Sequence, residues 1–101
     1  MNKEVQQQQT FASEFMRLFR SAVDQRAYLN VTYRGKKNEA SMRLAIDKLY
    51  PYRYTQFSDR TAARFLIENQ YTISQVIPAH HHQVKAKLQN LIIVAKQYQQ
   101  Q

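Results

Sequence analysis

Two clusters in this 101-residue chain have side-chain types and spacing that could do chemistry. The first is "YPYRY", where Tyr50, Tyr52 and Tyr54 surround Arg53, with Lys48 before and Arg60 after. Rings beside cations suit base stacking and phosphate contact: a stacked base contributes roughly 1–3 kcal/mol, and each cation adds a salt-sensitive term through counterion release. The same tyrosines also suit an extended segment packed on the core or at a subunit interface. The second cluster is His80, His81 and His82, shortly after Pro78. Three adjacent histidines cannot all face one metal from a regular element. No nearby Asp, Glu or Cys completes a ligand set, so no metal site is expected.

Further cations lie elsewhere. Arg34, Lys36 and Lys37 surround Gly35, and Arg17, Arg20 and Arg26 fall on or near a leading helix. Lys and Arg outnumber Asp and Glu fifteen to seven, giving a formal charge of +8. Such an excess favours polyanions (RNA, DNA or an anionic membrane surface), although a plain solvated basic surface accounts for the charge as well. The chain has no cysteine, which excludes disulfides, thiolate metal sites and cysteine nucleophiles. No apolar run approaches the roughly 18 residues that span a membrane, and "MNKEVQQQQT" lacks the apolar core of a secretory signal. A cytoplasmic location is the expectation. With no Gly-rich phosphate loop, no nucleophile beside a recognisable base and scattered carboxylates, neither an enzyme nor a cofactor is expected.

The elements that must position these residues follow from periodicity. Residues 1–10 are Gln-rich and polar and read as a flexible tail. Phe11, Phe15, Leu18, Phe19 and Ala22 form a helical stripe, predicting a helix over 11–25 with Thr10 as N-cap and Glu14 at its positive end. Leu29, Val31 and Tyr33 alternate with Asn30, Thr32 and Arg34 as in a strand, and Gly35 reads as a hairpin turn. Met42, Leu44 and Ile46 alternate likewise; Met42, Ile46 and Leu49 also fit a helix, but the hairpin context and Pro51 favour the strand. Tyr52 to Phe57 reads as extended. "SDRTAARFLIEN" is ambiguous, since Ser58 and Asp59 make a good helix start while "RFLIE" alternates. "YTISQVI" places Tyr71, Ile73, Gln75 and Ile77 on one face, ended by Pro78. Val84, Leu88, Leu91, Ile92 and Ala95 then form a second helix, which the histidines open. Five short strands between two helices predict an α+β fold, a small, strongly bent five-stranded barrel that leaves few open edges.

This order resembles the bacterial Sm-like RNA chaperone family, Hfq, over residues 11–78. "YTISQVIP" resembles the Ile-Ser-x-Val-hydrophobic-Pro end of the family's second Sm motif. Leu29–Arg34, Gly35, Met42–Ile46 and Asp47 follow its strand, glycine turn, strand and aspartate. The resemblance implies an Sm-like (SH3-like) barrel with an N-terminal helix, a homo-oligomeric ring with a hexamer as the family form, and binding of single-stranded RNA. It places Arg34, Lys36 and Lys37 on the face that takes A-rich RNA. The chain departs from the family where Asn69, Gln70 and Tyr71 replace Tyr-Lys-His at the uridine site, leaving Gln70 and a ring at Tyr71. After Asp47, Lys48 and Leu49 replace the usual glutamine and aromatic. A second comparison is the WYL module of bacterial regulators, whose Tyr-Arg and Arg-x-Phe-x-Leu elements "VTYRGKK" and "ARFLI" resemble, though the chain lacks tryptophan.

Together these readings give an RNA-binding Sm-like protein of 11–78, followed by an appended helix and tail at 79–101. The candidate RNA contacts are Lys48, Tyr50, Tyr52, Arg53, Tyr54, Arg60, Gln70, Tyr71, Arg34, Lys36, Lys37, Arg17 and Arg20. Two alternatives stand beside it. One is a protein-interaction or ligand-sensing module of a regulator, marked by an apolar face left exposed on the last helix. The other is a helical DNA-binding protein built on "SDRTAARFLIENQ" and "QVKAKLQNLI".

Overall fold

The computed structural model describes residues 10–24, 39–78 and 81–100. Among them are four α-helices: α1 (Phe11–Val23), α2 (Glu39–Leu49), α3 (Asp59–Gln75) and α4 (His82–Gln99). A single 3-10 turn at Tyr50–Tyr52 follows α2. No strand occurs among the described residues, so the five-stranded Sm-like barrel is overturned. The barrel-based part of the resemblance to Hfq falls with it. Residues 1–9 of the expected 1–10 tail, the alternating Leu29–Arg34, the Gly35 turn and His80 lie outside the described residues.

Helix α1 forms for the reasons its sequence announces. The Thr10 hydroxyl accepts the Ser13 N–H at 3.1 Å, and Glu14 sits in the first turn. Phe11, Phe15, Leu18, Phe19 and Ala22 are buried, joined by Ala12, Met16 and Val23. Helix α3 is capped in the same manner, the Ser58 hydroxyl accepting the Thr61 N–H at 3.2 Å.

The segments read as strands are helical because their apolar spacing is ambiguous. Residues four apart share a face in either a strand or a helix. In α2 the buried set is Met42, Ala45, Ile46 and Leu49, while Leu44 is 72% exposed. Burying positions three and four apart and exposing the one two away is helical periodicity. In "YTISQVI", Ile73, Val76 and Ile77 are buried whereas Tyr71 and Gln75 are exposed. Pro78 therefore follows a helix end, where a residue that cannot continue the helix is at home. Of the segment read as extended, Tyr52 closes the 3-10 turn and Arg53 to Phe57 follows as turn and irregular chain, and the helical option at Asp59 is the one realised.

Contacts set the topology. The Ala12 N–H donates to Asp59 Oδ1 at 2.8 Å, and Phe19 meets Phe65 edge-on at 5.5 Å, so α1 and α3 run parallel. Phe11 lies 5.4 Å from Tyr98, and the Tyr98 hydroxyl donates to Asp59 Oδ2 at 3.5 Å. Helix α4 is thus antiparallel to both and forms a hairpin with α3, the most extensive helix pair. Helix α2 packs on α3, which is the central element.

The core among the described residues is entirely apolar, with Phe15, Phe19, Ile46, Leu49, Leu66, Ile73 and Leu88 its largest fully buried side chains. Asp59 stands at the bundle's edge and ties three helices together. It accepts an otherwise unpaired first-turn N–H of α1, occupies the first turn of α3 and meets the end of α4. Asp59→Ala is expected to lower stability by about 1–2 kcal/mol, whereas the exposed Asp24→Ala stays within about 0.5 kcal/mol. Urea unfolding checks this; equal midpoints for the two variants would contradict the bridging role.

Candidate nucleic-acid interface

The turn that joins α2 to α3 carries the aromatic and basic cluster. Pro51 sits near the start of the 3-10 turn, where its fixed φ and missing N–H fit. That turn brings residues 50 and 53 onto one side. The Arg53 guanidinium lies 3.7 Å above the centroid of the Tyr50 ring and 4.9 Å from that of Tyr54. Arg53 Nη1 also donates to the Tyr50 carbonyl at 2.9 Å. The cation is therefore held in place, with one planar group resting against two rings.

Tyr52 anchors the turn from the other side. Its ring lies 5.1 Å from Phe65, which also touches Phe57 at 5.0 Å. Phe65 reaches in turn to Phe15 at 6.1 Å. The turn is thus fastened to the α1–α3 interface by aromatic contacts. The ring left most open is that of Tyr54, 73% exposed; Tyr52 is 45% exposed. Lys48, on the last turn of α2, and Arg60, on the first turn of α3, are exposed at the two ends of this segment.

The remaining sequence candidates are dispersed. Asn69 breaks the helical geometry of α3 at φ −116° and ψ 15°, and its Nδ2 donates to the Phe65 carbonyl at 2.8 Å. Gln70 Nε2 donates to the Ile67 carbonyl at 3.1 Å. These bonds give the kink a cause and spend the Gln70 side chain inside its own helix. Tyr71 is 79% exposed but lies roughly 120° around α3 from Phe65. Arg17 lines a cleft between α1 and α4, and Arg20 is half-buried on α1. Arg26, Arg34, Lys36 and Lys37 fall outside the described residues.

The sequence reading missed two cations. Arg64 lies one turn beyond Arg60 on α3, exposed like it, and the i, i+4 spacing reveals the pair once this segment is read as a helix. Lys87 joins Arg17 at the cleft, on a helix α4 that carries Lys85, Lys87 and Lys96 with no Asp or Glu. The histidines open α4 as expected, His81 as N-cap and His82 as first residue. Among the described residues no group of three His, Cys, Asp or Glu could hold a metal. Val84, Ile93 and Val94 on α4 are exposed. Among the described residues no helix is long and apolar enough to cross a membrane.

No known protein family, curated protein or solved structure matches this chain.

The geometry separates a packed cation from an open ring. Arg53→Ala is expected to destabilise the fold by about 0.5–1 kcal/mol through loss of its stacking, while Tyr54→Ala should be neutral within about 0.5 kcal/mol. Thermal unfolding of both variants decides; a larger loss from Tyr54→Ala would contradict the assignment of Tyr54 as the open ring.

Proposed function

We propose that this helical protein binds single-stranded nucleic acid through the turn from Lys48 to Arg60. One observation carries the reading: Arg53 is held against Tyr50 and Tyr54 while the Tyr54 ring stays largely open. An aromatic face beside a fixed guanidinium offers a base a stacking partner and its phosphate a cation. Base–aromatic stacking tolerates any sequence because every base has a π-face. Lys48, Arg60 and Arg64 add phosphate contacts at either end of the segment, and the +8 charge favours encounter with a polyanion.

A second reading has a specific observation behind it. The acid-free surface of α4 suits the phosphates of duplex DNA. Base stacking on an open ring needs unpaired bases, so the two readings part on strandedness.

Fluorescence anisotropy with labelled oligo-U, oligo-A, oligo-dT and a duplex tests both. Single strands are expected to bind, with affinity falling roughly fiftyfold between 50 and 200 mM salt for four phosphate contacts. Tyr54→Ala should weaken single-strand binding about tenfold, and Tyr71→Ala should leave it unchanged. Equal affinity of Tyr54→Ala and the parent would overturn the reading. Preference for the duplex, weakened by Lys87→Gln and not by Tyr54→Ala, would establish the second reading in its place.

A further inference from the structure

At the opposite end of the bundle from the tyrosine turn, a cleft of about 470 Å³ lies between α1 and α4. That volume lies within the roughly 300–1,000 Å³ range typical of small-molecule pockets. Leu18, Ala22 and Ile77, each nearly buried, form its apolar floor. Val84 forms a wall. It continues the apolar stripe of Leu88, Leu91 and Ala95, yet it is 37% exposed where they are buried. The stripe therefore runs out of core at the cleft and offers its last apolar side chain to whatever enters.

The charge lining this space is of one sign. Arg17 stands on the α1 side and Lys87 on the α4 side, both exposed, and no Asp or Glu is among the described residues lining it. His81 and Gln83 place the first turn of α4 at the rim. That turn has no side-chain cap, so its positive end adds to the field of the two cations. An apolar floor under a cationic rim is complementary to a molecule with an apolar body and one anionic head. The planar, five-donor fork of Arg17 can hold a carboxylate through two parallel hydrogen bonds.

We propose that the α1–α4 cleft binds a small amphipathic carboxylate, its apolar body over Leu18, Ile77 and Val84 and its head between Arg17 and Lys87. The site does not rest on the single-strand reading, and it shares only Lys87 with the duplex reading. Occupation would cover the apolar surface that α1 and α4 leave open and would stabilise the folded chain by mass action.

Calorimetric titration of the full chain with decanoate, with decanol and acetate as controls, tests the site. Decanoate is expected to bind saturably at one per chain, with decanol and acetate each at least about tenfold weaker. Arg17→Gln should weaken decanoate about tenfold without changing the helical circular dichroism, since Arg17 is exposed. Val84→Phe should abolish binding by filling the cleft while leaving oligonucleotide affinity intact. Absence of saturable decanoate binding, equal affinity for decanol, or unchanged affinity in Arg17→Gln would each overturn the proposal. Should Val84→Phe fail to fold, Arg17→Gln decides alone.

Discussion

The ring of Phe65 is the contact on which both the packing and the proposed site depend. It lies within 6.1 Å of Phe15 and 5.5 Å of Phe19 on α1, and within about 5 Å of Tyr52 and Phe57 on the α2–α3 connection. Aromatic pairs at these separations contribute roughly 0.5–1.5 kcal/mol each beyond burial. One side chain thus fixes α1 against α3 and pins the turn that carries Arg53. Without that anchor the Tyr50–Tyr54 segment would be a surface loop free to sample many arrangements, and ordering it on a ligand would cost conformational entropy. Pre-organisation of the turn is therefore a consequence of core packing.

The same economy shapes the rest of the molecule. No polar or charged residue is buried among those described, and no buried side-chain nitrogen or oxygen lacks a partner. Every group able to recognise a ligand consequently lies on the surface or at its edge. Asp59 is the exception in spirit: half-buried, it gathers the first turns of α1 and α3 and the end of α4. A carboxylate is suited to that place because two helix N-termini present partial positive charge toward it. The cleft at the far end shows the converse, where the apolar stripe of α4 ends in the exposed Val84.

Much of the helix content was written plainly in the residues. The stripe from Phe11 to Ala22 and the stripe from Leu88 to Ala95 are long enough that only a 3.6-residue period fits them. The capping residues Thr10 and Ser58 were legible for the same reason, being side chains that compete for backbone N–H groups. Short segments misled. Met42 and Ile46, or Ile73 and Ile77, are four apart, a spacing that a strand satisfies as well as a helix. Local β-branched and aromatic residues such as Thr72, Ile73 and Tyr71 then weighed toward strand, and tertiary burial along α3 overrode them. Of the site, "YPYRY" was visible as composition. The placement of Arg53 over Tyr50 depends on a 3-10 turn that no apolar period announces, and the loss of Gln70 to an intrahelical bond beside the kink at Asn69 is visible only once this segment is a helix. The cleft needs two distant segments brought side by side, which a linear reading could not supply.

The account stands or falls on Phe65 joining the core to the turn. Nuclear Overhauser spectroscopy on ring protons of selectively labelled protein observes this directly. Cross-peaks from Phe65 to Phe15, Phe19, Tyr52 and Phe57 are predicted, with helical carbon shifts through residues 59–75. Cross-peaks to α1 without any to Tyr52 and Phe57 would leave the turn unanchored, and extended shifts over 71–75 would contradict the helical fold itself.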